Sequence, residues 1–365
     1  MLWLIVAQYV KFLCTKRKQL SVREKMDKSL EILKSLSPEE LNTLRMTIES
    51  ILFPESKPFS VDQEARDVRR GKRAREFPHC VHCGSDAIRG HGTYKHSRRY
   101  LCVSCKKTFT DITKTCIAHL QKRDQFRQYI VCMIHGMSLR KAAKQTGVCL
   151  KTAFDWRHKI LHALKMNPHQ QLRGVTEADE TFFRYSEKGS RKLSRPPRKR
   201  GGGKGPGLDD ELVCVLTAKD RSGSPPVIET VGRGPITSER IHQKLKGSFI
   251  DQNLLLCTDA NNSYKKYCKE HNIKHKVLNL SKKQRVVEKH LHLQNVNATH
   301  SRLKGWMRRF HGVASKYLQN YMNYFRTLEE FKKSDNACRD FLHNALLADC
   351  SFISTKNISQ YFAIT

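Results

Sequence analysis

Two CxxC pairs constrain this chain more than any other feature. Cys80 and Cys83 in CVHC are followed, after eighteen residues, by Cys102 and Cys105 in CVSC. Each pair brings two thiolates to one turn, and together they complete the closed tetrahedral shell that holds structural zinc, with no position left for water. His79 and His82 lie nearby as substitute ligands, but the cysteines already suffice. The intervening GHGTYKHSRRYLC and the following KKTFTD alternate as short strands do, so a zinc ribbon is expected over residues 77–115. The full count of thirteen cysteines is odd. That fits a reducing compartment with metal ligands better than a disulfide framework, and the cysteines scattered singly read as small buried hydrophobes.

Charge points to the partner. The 365 residues carry 68 Lys and Arg against 34 Asp and Glu, a formal net charge of +34. A compact molecule so charged repels itself unless a polyanion accompanies it, so nucleic acid is the first candidate partner and an anionic membrane surface the rival. With the motifs below, the expectation is double-stranded DNA and a cytoplasmic, DNA-associated location, the nucleoid if the host is bacterial. A membrane is not expected, because no stretch of about 18 apolar residues exists to span one. The opening MLWLIVAQYVKFLC resembles a short signal core, yet it lacks a basic start and runs into CTKRK instead of a small-residue cleavage site. Residues 1–25 read as an upstream extension, with Met26 as an alternative start.

The chain then divides by pattern. Residues 1–53 form an N-terminal helical segment, in which Ser37, Pro38 and Glu40 supply a cap, a first-turn proline and a capping-box acid. Its apolar face calls for a partner such as a second copy. Residues 54–76, with little apolar periodicity and a cationic run, read as a basic linker. Residues 116–170 hold MSLRKAAKQTGVCLKTAFDWRHKILHAL, two helical stretches about a turn at Gly147, which is helix-turn-helix spacing as well as that of an ordinary helical hairpin. Lys151, Thr152, Trp156 and Arg157 would face DNA from the second helix. Residues 171–330 show three strands, a helix and a strand, the order of a ribonuclease-H-like α/β core, and 331–365 a C-terminal helical tail. Between the first two strands lies a Gly-, Pro- and cation-rich loop whose Arg198, Lys199, Arg200 and Lys204 suit a DNA backbone.

Two acids and one helix carry the expected chemistry. Asp179 lies within the first strand, flanked by Glu177 and Glu180, and Asp259 ends the apolar run LLLCT. Carboxylates on adjacent strands can share Mg²⁺ or Mn²⁺, although the run TDANNS also permits a simple turn at Asp259. HLHLQNVNATHSRLKGWMRRF reads as a helix with Val296, Leu303, Met307 and Phe310 on an apolar stripe. Asn297, His300 and Lys304 align on the other side, where a solvated face is the plainest reading.

The chain from Phe77 to Leu328 resembles the zinc-ribbon insertion-sequence transposases with an ISXO-like transposase domain, a branch of the DDE-type recombinases. The resemblance rests on the CxxC pairs, EADETFF, CTDANNSY and HLQNVNATHSRLKGWMRRFHGVASKYLQNYMNYF. It implies a transposase that binds the terminal repeats of its element and carries out metal-dependent strand cleavage and strand transfer as a homo-oligomer on transposon-end and target DNA. A group of this family has Asn at the third catalytic position with Lys seven residues later, which here are Asn297 and Lys304. The resemblance thus implies Mg²⁺ or Mn²⁺ on Asp179, Asp259 and Asn297, with Lys304 on DNA phosphate. His300 is the alternative third ligand. The rival function is a zinc-dependent DNA-binding regulator, or a decayed transposase, without catalysis.

Overall fold

A computed structural model describes residues 31, 33–37, 40–41, 60–75, 79–94, 97–165, 171–194, 196, 211–249, 254–279, 286–288, 290–334 and 336–348. The chain divides into two compact units, Met1–Pro58 and Phe59–Thr365. In the first, Ser37 and Glu40 make the reciprocal capping-box bonds: the Ser37 N–H donates to Glu40 Oε2 at 2.9 Å and the Glu40 N–H to Ser37 Oγ at 3.3 Å. The rest of the expected helical segment lies outside the described residues.

The second unit opens with helix α1, Val61–Arg75, where a linker was expected over 54–76. Its apolar content is Val61, Ala65, Val68 and Ala74, too narrow a stripe to stand out among the charges. The helix is held by Val61 and Ala65, which are buried in the core, and also through its polar side. Arg339 Nε donates to buried Glu64 at 3.1 Å, and Lys72 Nζ donates to the Leu347 carbonyl at 2.9 Å. Both partners belong to a helix near the C-terminus, which a reading along the chain could not bring to it.

Next come three antiparallel strands, β1 Ile88–Tyr94, β2 Ser97–Cys102 and β3 Thr108–Thr110, in the order β1-β2-β3. Helices α2 Arg123–Ile134, α3 Leu139–Thr146 and α4 Leu150–Lys165 follow. Ser138 caps α3 by accepting from Lys141 N–H, and Gly147 closes it at φ 65°, a left-handed conformation that glycine adopts without a Cβ penalty.

A five-stranded sheet is built from β4 Val175–Arg184, β5 Leu212–Asp220, β6 Val227–Arg233, β7 Leu255–Thr258 and β8 Lys274–Val277, in the order β6-β5-β4-β7-β8. The first three pair antiparallel, while β7 and β8 join in parallel, each preceded by a helix: α5 Ser238–Leu245 and α6 Asn262–Glu270. The architecture is mixed α/β, as expected. Strand β8 and helix α6 extend the order read from the sequence.

Alternation along the strands separates two cores. Ala178, Cys214, Leu216 and Ala218 pack with α5 and α6. On the opposite face, Val213, Val215 and Ile228 share one core with α7 Gln294–Arg308, α8 Leu318–Glu330, α9 Ala337–Leu347 and with α1 to α4. The segments expected as separate parts over 116–170, 171–330 and 331–365 therefore interpenetrate. What was read as a tail contains α9, whose Phe341, Leu342, Ala345 and Leu346 are fully buried. Among the described residues, no helix is long and apolar enough to cross a membrane.

Candidate metal centre and its surroundings

Strand β4 pairs with β7 only from Val175 to Glu177, opposite Leu255 to Cys257. Asp179 and Asp259 each lie two residues past the last pair, Glu177 and Cys257, so the parallel register delivers both acids to the same level. Because β7 has ended at Thr258, the edge of β4 there is open. Asp179 faces α7 and Glu180 the α6 side, yet both reach past this open edge toward Asp259. The three carboxylates offer oxygens that all lie within 4.8 Å of one another.

The turn after β7 shapes this cluster. Asn261 donates its backbone N–H to Asp259 Oδ1 at 3.0 Å and its side-chain Nδ2 to Glu180 Oε1 at 3.2 Å, while Oδ1 caps α6 by accepting from Ser263 N–H at 2.9 Å. Asp259 is thus both a turn residue and a member of the acid cluster. Burial pushes the Asp179 carboxyl up to about 6, with Asp259 adding repulsion, and pushes Glu180 up to about 8, with Asp179 and Asp259 adding to it. Tyr264, fully buried on α6, has its phenol pushed up by burial and by these same carboxylates. Three crowded, half-buried acids are a hard-oxygen donor set that a divalent cation would relieve of its repulsion.

Helix α7 spans most of the segment read as helical and brings the polar stripe beside the acids, with one change. His300, expected on the outer side, is buried, and its Nδ1 stands 3.8 Å from Asp179 Oδ2. Burial, then the Lys304 charge, lowers its pKa to about 4, so the ring is neutral at physiological pH. Its Nε2 is buried without a hydrogen-bond partner. Lys304 is exposed, and its charge reaches both Asp179 and His300. Asn297 is exposed and lies one turn nearer the N-terminus; among the described residues its side chain makes no hydrogen bond. Of the stripe residues, His300 stands 3.8 Å from an acid, Asp179.

Two further residues complete the surroundings. Glu177, fully buried, accepts hydrogen bonds at the start of α7, and Asn261 ties Asp259 to Glu180. Neither was assigned a role from the sequence, and Glu180 only flanked Asp179, because strand alternation places it on the other face. The end of LLLCT at Asp259 is the signal that this edge opens.

The four paired cysteines also converge. Cys80 and Cys105 sulfurs are 3.7 Å apart, Cys83 and Cys102 sulfurs 3.6 Å, and all four lie within 4.8 Å. The Cys105 N–H donates to Cys102 Sγ at 3.4 Å and holds that thiol down at about 6. Four thiols so gathered fit a tetrahedral zinc ion. His82 turns instead toward the Thr108 carbonyl, at 3.3 Å.

On α4, Lys151 is exposed and pairs with Asp155 at 2.9 Å, and half-buried Thr152 bonds Cys149 at 3.2 Å. The other two residues expected to face DNA do not. Trp156 is 4% exposed, edge-on to Phe126 and Tyr129, and Arg157 is 0% exposed. The guanidinium of Arg157 donates to the Met137 carbonyl at 2.7 Å and lies over Tyr129 and Phe310. Trp156 is covered by Phe126 and Tyr129 of α2, and Arg157 by Tyr129 and by Phe310 just beyond α7, while Lys151 in the opening turn of α4 stays exposed. Arg198, Lys199, Arg200 and Lys204 lie outside the described residues. The root of their loop is fixed: Ser186 and Ser315 exchange two bonds of 2.8 Å, and Lys188 Nζ donates to the His311 carbonyl beyond α7 at 2.8 Å.

Comparison with known proteins agrees with these motifs. The chain is 25% identical over 297 residues, 80% of its length and 99% of the relative's, to an uncharacterised protein in transposable element ISH50 of Halobacterium salinarum. Among solved structures, it is similar to a chain of the simian T-cell lymphotropic virus intasome in complex with PP2A regulatory subunit B56 gamma, at 12% identity and TM-score 0.26, covering 56% of this chain and 64% of that one. A pre-cleavage Mos1 transpososome gives 11% identity and TM-score 0.20, over 58% and 77%. Likenesses this slight carry no argument about the fold. The family match does bear on the site: residues 171–326, which hold Asp179, Asp259 and all of helix α7, match the ISXO2-like transposase domain.

Proposed function

We propose that the protein is a DDE-type transposase that binds the ends of its own insertion sequence and catalyses DNA strand cleavage and strand transfer. The observation that carries the reading is the matched register of Asp179 and Asp259 on adjacent parallel strands, with Glu180 beside them. The order β6-β5-β4-β7-β8, antiparallel then parallel, supports a ribonuclease-H-like core. The relative in a transposable element supports the same activity. Bound Mg²⁺ or Mn²⁺ would stabilise charge on the scissile phosphate and lower the pKa of an attacking water.

The chain's own residues then divide the work. Asp179 and Asp259 hold the cation, and Asn297 is the third ligand that the family correspondence supports. His300, neutral and facing Asp179, is the competing candidate, and its imidazole suits Mn²⁺ better than Mg²⁺. Lys304 binds a DNA phosphate at the edge of the site. Zinc on Cys80, Cys83, Cys102 and Cys105 stabilises a ribbon that joins the opening turn of α4, with Lys151 and Thr152, in holding the transposon end.

The decisive test incubates purified full-length protein with end DNA of its element and Mg²⁺. Strand cleavage that disappears in Asp179→Ala and Asp259→Ala, with end binding intact, is the expected result. Binding without cleavage in the wild type would instead identify a DNA-binding regulator.

A further inference from the structure

Glu177 lies two residues before Asp179 on the same face of β4, but it is not free to join the metal centre. It is 0% exposed and its oxygens are occupied. Oε2 accepts the backbone N–H of Asn295 at 2.9 Å and of Val296 at 3.3 Å; Oε1 accepts Asn295 Nδ2 at 2.7 Å, with His292 Nδ1 at 3.2 Å and Arg221 Nη2 at 3.5 Å. Arg221 also donates to the His290 carbonyl at 2.7 Å, tying down the segment that leads into α7.

Asn295 and Val296 are the second and third residues of α7, whose amides have no acceptor within the helix. A helix ordinarily meets this need with a Ser, Thr, Asn or Asp at its cap. Here the cap is Leu293, which makes no side-chain bond, and the first turn contains no acid. The missing cap is supplied from the sheet. A carboxylate at this position also meets the positive end of the helix dipole.

The placement sets a register. From Glu177 to Asp179 the strand advances by about 6.6 Å. From Val296 to His300 the helix advances by about 6 Å. A clamp between Glu177 and Val296 therefore brings His300 level with Asp179, where their side chains stand 3.8 Å apart. Lys304 follows one further turn along.

We propose that Glu177 is a positioning residue: it caps α7 from the sheet and fixes the register that sets His300 against the acid cluster, with Asn297 and Lys304 about one turn to either side on the same helix. This rests on the transposase reading only for its effect on cleavage. The clamp itself is a property of the fold.

The test compares wild-type, Glu177→Ala and Glu177→Gln full-length protein by amide hydrogen exchange and by Mg²⁺-dependent cleavage of end DNA. In Glu177→Ala, the Asn295 and Val296 amides should exchange at least tenfold faster, while those of Leu303 to Met307 stay protected. The cleavage rate at saturating DNA should fall on the order of 100-fold, the scale of lost orientation, with unchanged affinity for the end. Glutamine keeps one oxygen for the two backbone amides but turns an N–H₂ toward Asn295 Nδ2 and Arg221. It should therefore rescue protection and cleavage in part. Unchanged exchange at Asn295 and Val296 in Glu177→Ala would overturn the clamp, and faster exchange with wild-type cleavage would overturn its role in positioning. If the wild type itself cleaves no end DNA, the transposase reading fails, and the clamp is decided by the exchange result alone.

Discussion

Glu180→Gln removes one titrating group from the acid cluster while keeping its size and one oxygen for Asn261. Burial beside Asp179 and Asp259 raises the Glu180 carboxyl from an ordinary 4.5 to about 8. Between those values the folded chain holds a proton that the unfolded chain has released, so stability is full below about 4.5 and falls as the pH rises through about 8. At 1.36 kcal/mol per pH unit the whole shift is worth about 5 kcal/mol. Residual contact with solvent reduces this, so the wild type should fall behind Glu180→Gln by on the order of 2–3 kcal/mol between about pH 5 and about pH 8.5. Urea midpoints of both proteins, measured without added Mg²⁺, Mn²⁺ or chelator, read the difference directly. Adding Mn²⁺ at the higher pH should reverse the order, because the cation takes the place of the proton among the carboxylates. A difference that stays constant across this range would refute the claim that crowding of these three acids is what the fold opposes.

Cys102→Ser should lose the one zinc expected per chain in metal analysis and melt the β1–β3 sheet, since such sites carry an apparent binding energy of about 10–16 kcal/mol. Zinc-free wild-type protein would refute this. Asn297→Ala should abolish Mg²⁺-dependent cleavage while sparing end binding, and Asn297→Glu should retain activity; if Asn297→Ala cleaves normally and His300→Ala is dead, the inward-facing imidazole is the third ligand. Arg157→Ala should destabilise the fold by about 2–4 kcal/mol through lost packing, whereas Lys151→Ala should leave the melting temperature unchanged and lower the salt slope of end binding by about one. An exchange of these two phenotypes would show that the second helix faces DNA with its other side.

Much of this protein was legible before any coordinates, for reasons of local physics. The CxxC spacing restricts thiolates to one turn each, so the gathering of Cys80, Cys83, Cys102 and Cys105 follows once a metal or a fold pairs the two turns. Ser37, Ser138 and Gly147 act on backbone groups within four residues, so caps and turns could be read where they stand. The α/β alternation was equally plain, whereas Asp259 read as either a turn residue or a ligand. The tertiary structure decided what depends on contacts distant in the chain. Trp156 and Arg157 look like an exposed recognition face until Phe126 and Tyr129 of α2 and Phe310, far along the chain, pack over them. The charged run Val61–Arg75 is a helix packed on the C-terminal part of the chain, where Arg339 and the Leu347 carbonyl meet its polar side while Val61 and Ala65 enter the core. Glu180 joins Asp179 and Asp259 just past the end of β7, and His300 stands beside Asp179 on a helix whose first turn is bonded to Glu177, more than a hundred residues away in sequence. Local chemistry names the groups in a site. Their sides, neighbours and register are set by which surfaces the rest of the chain covers.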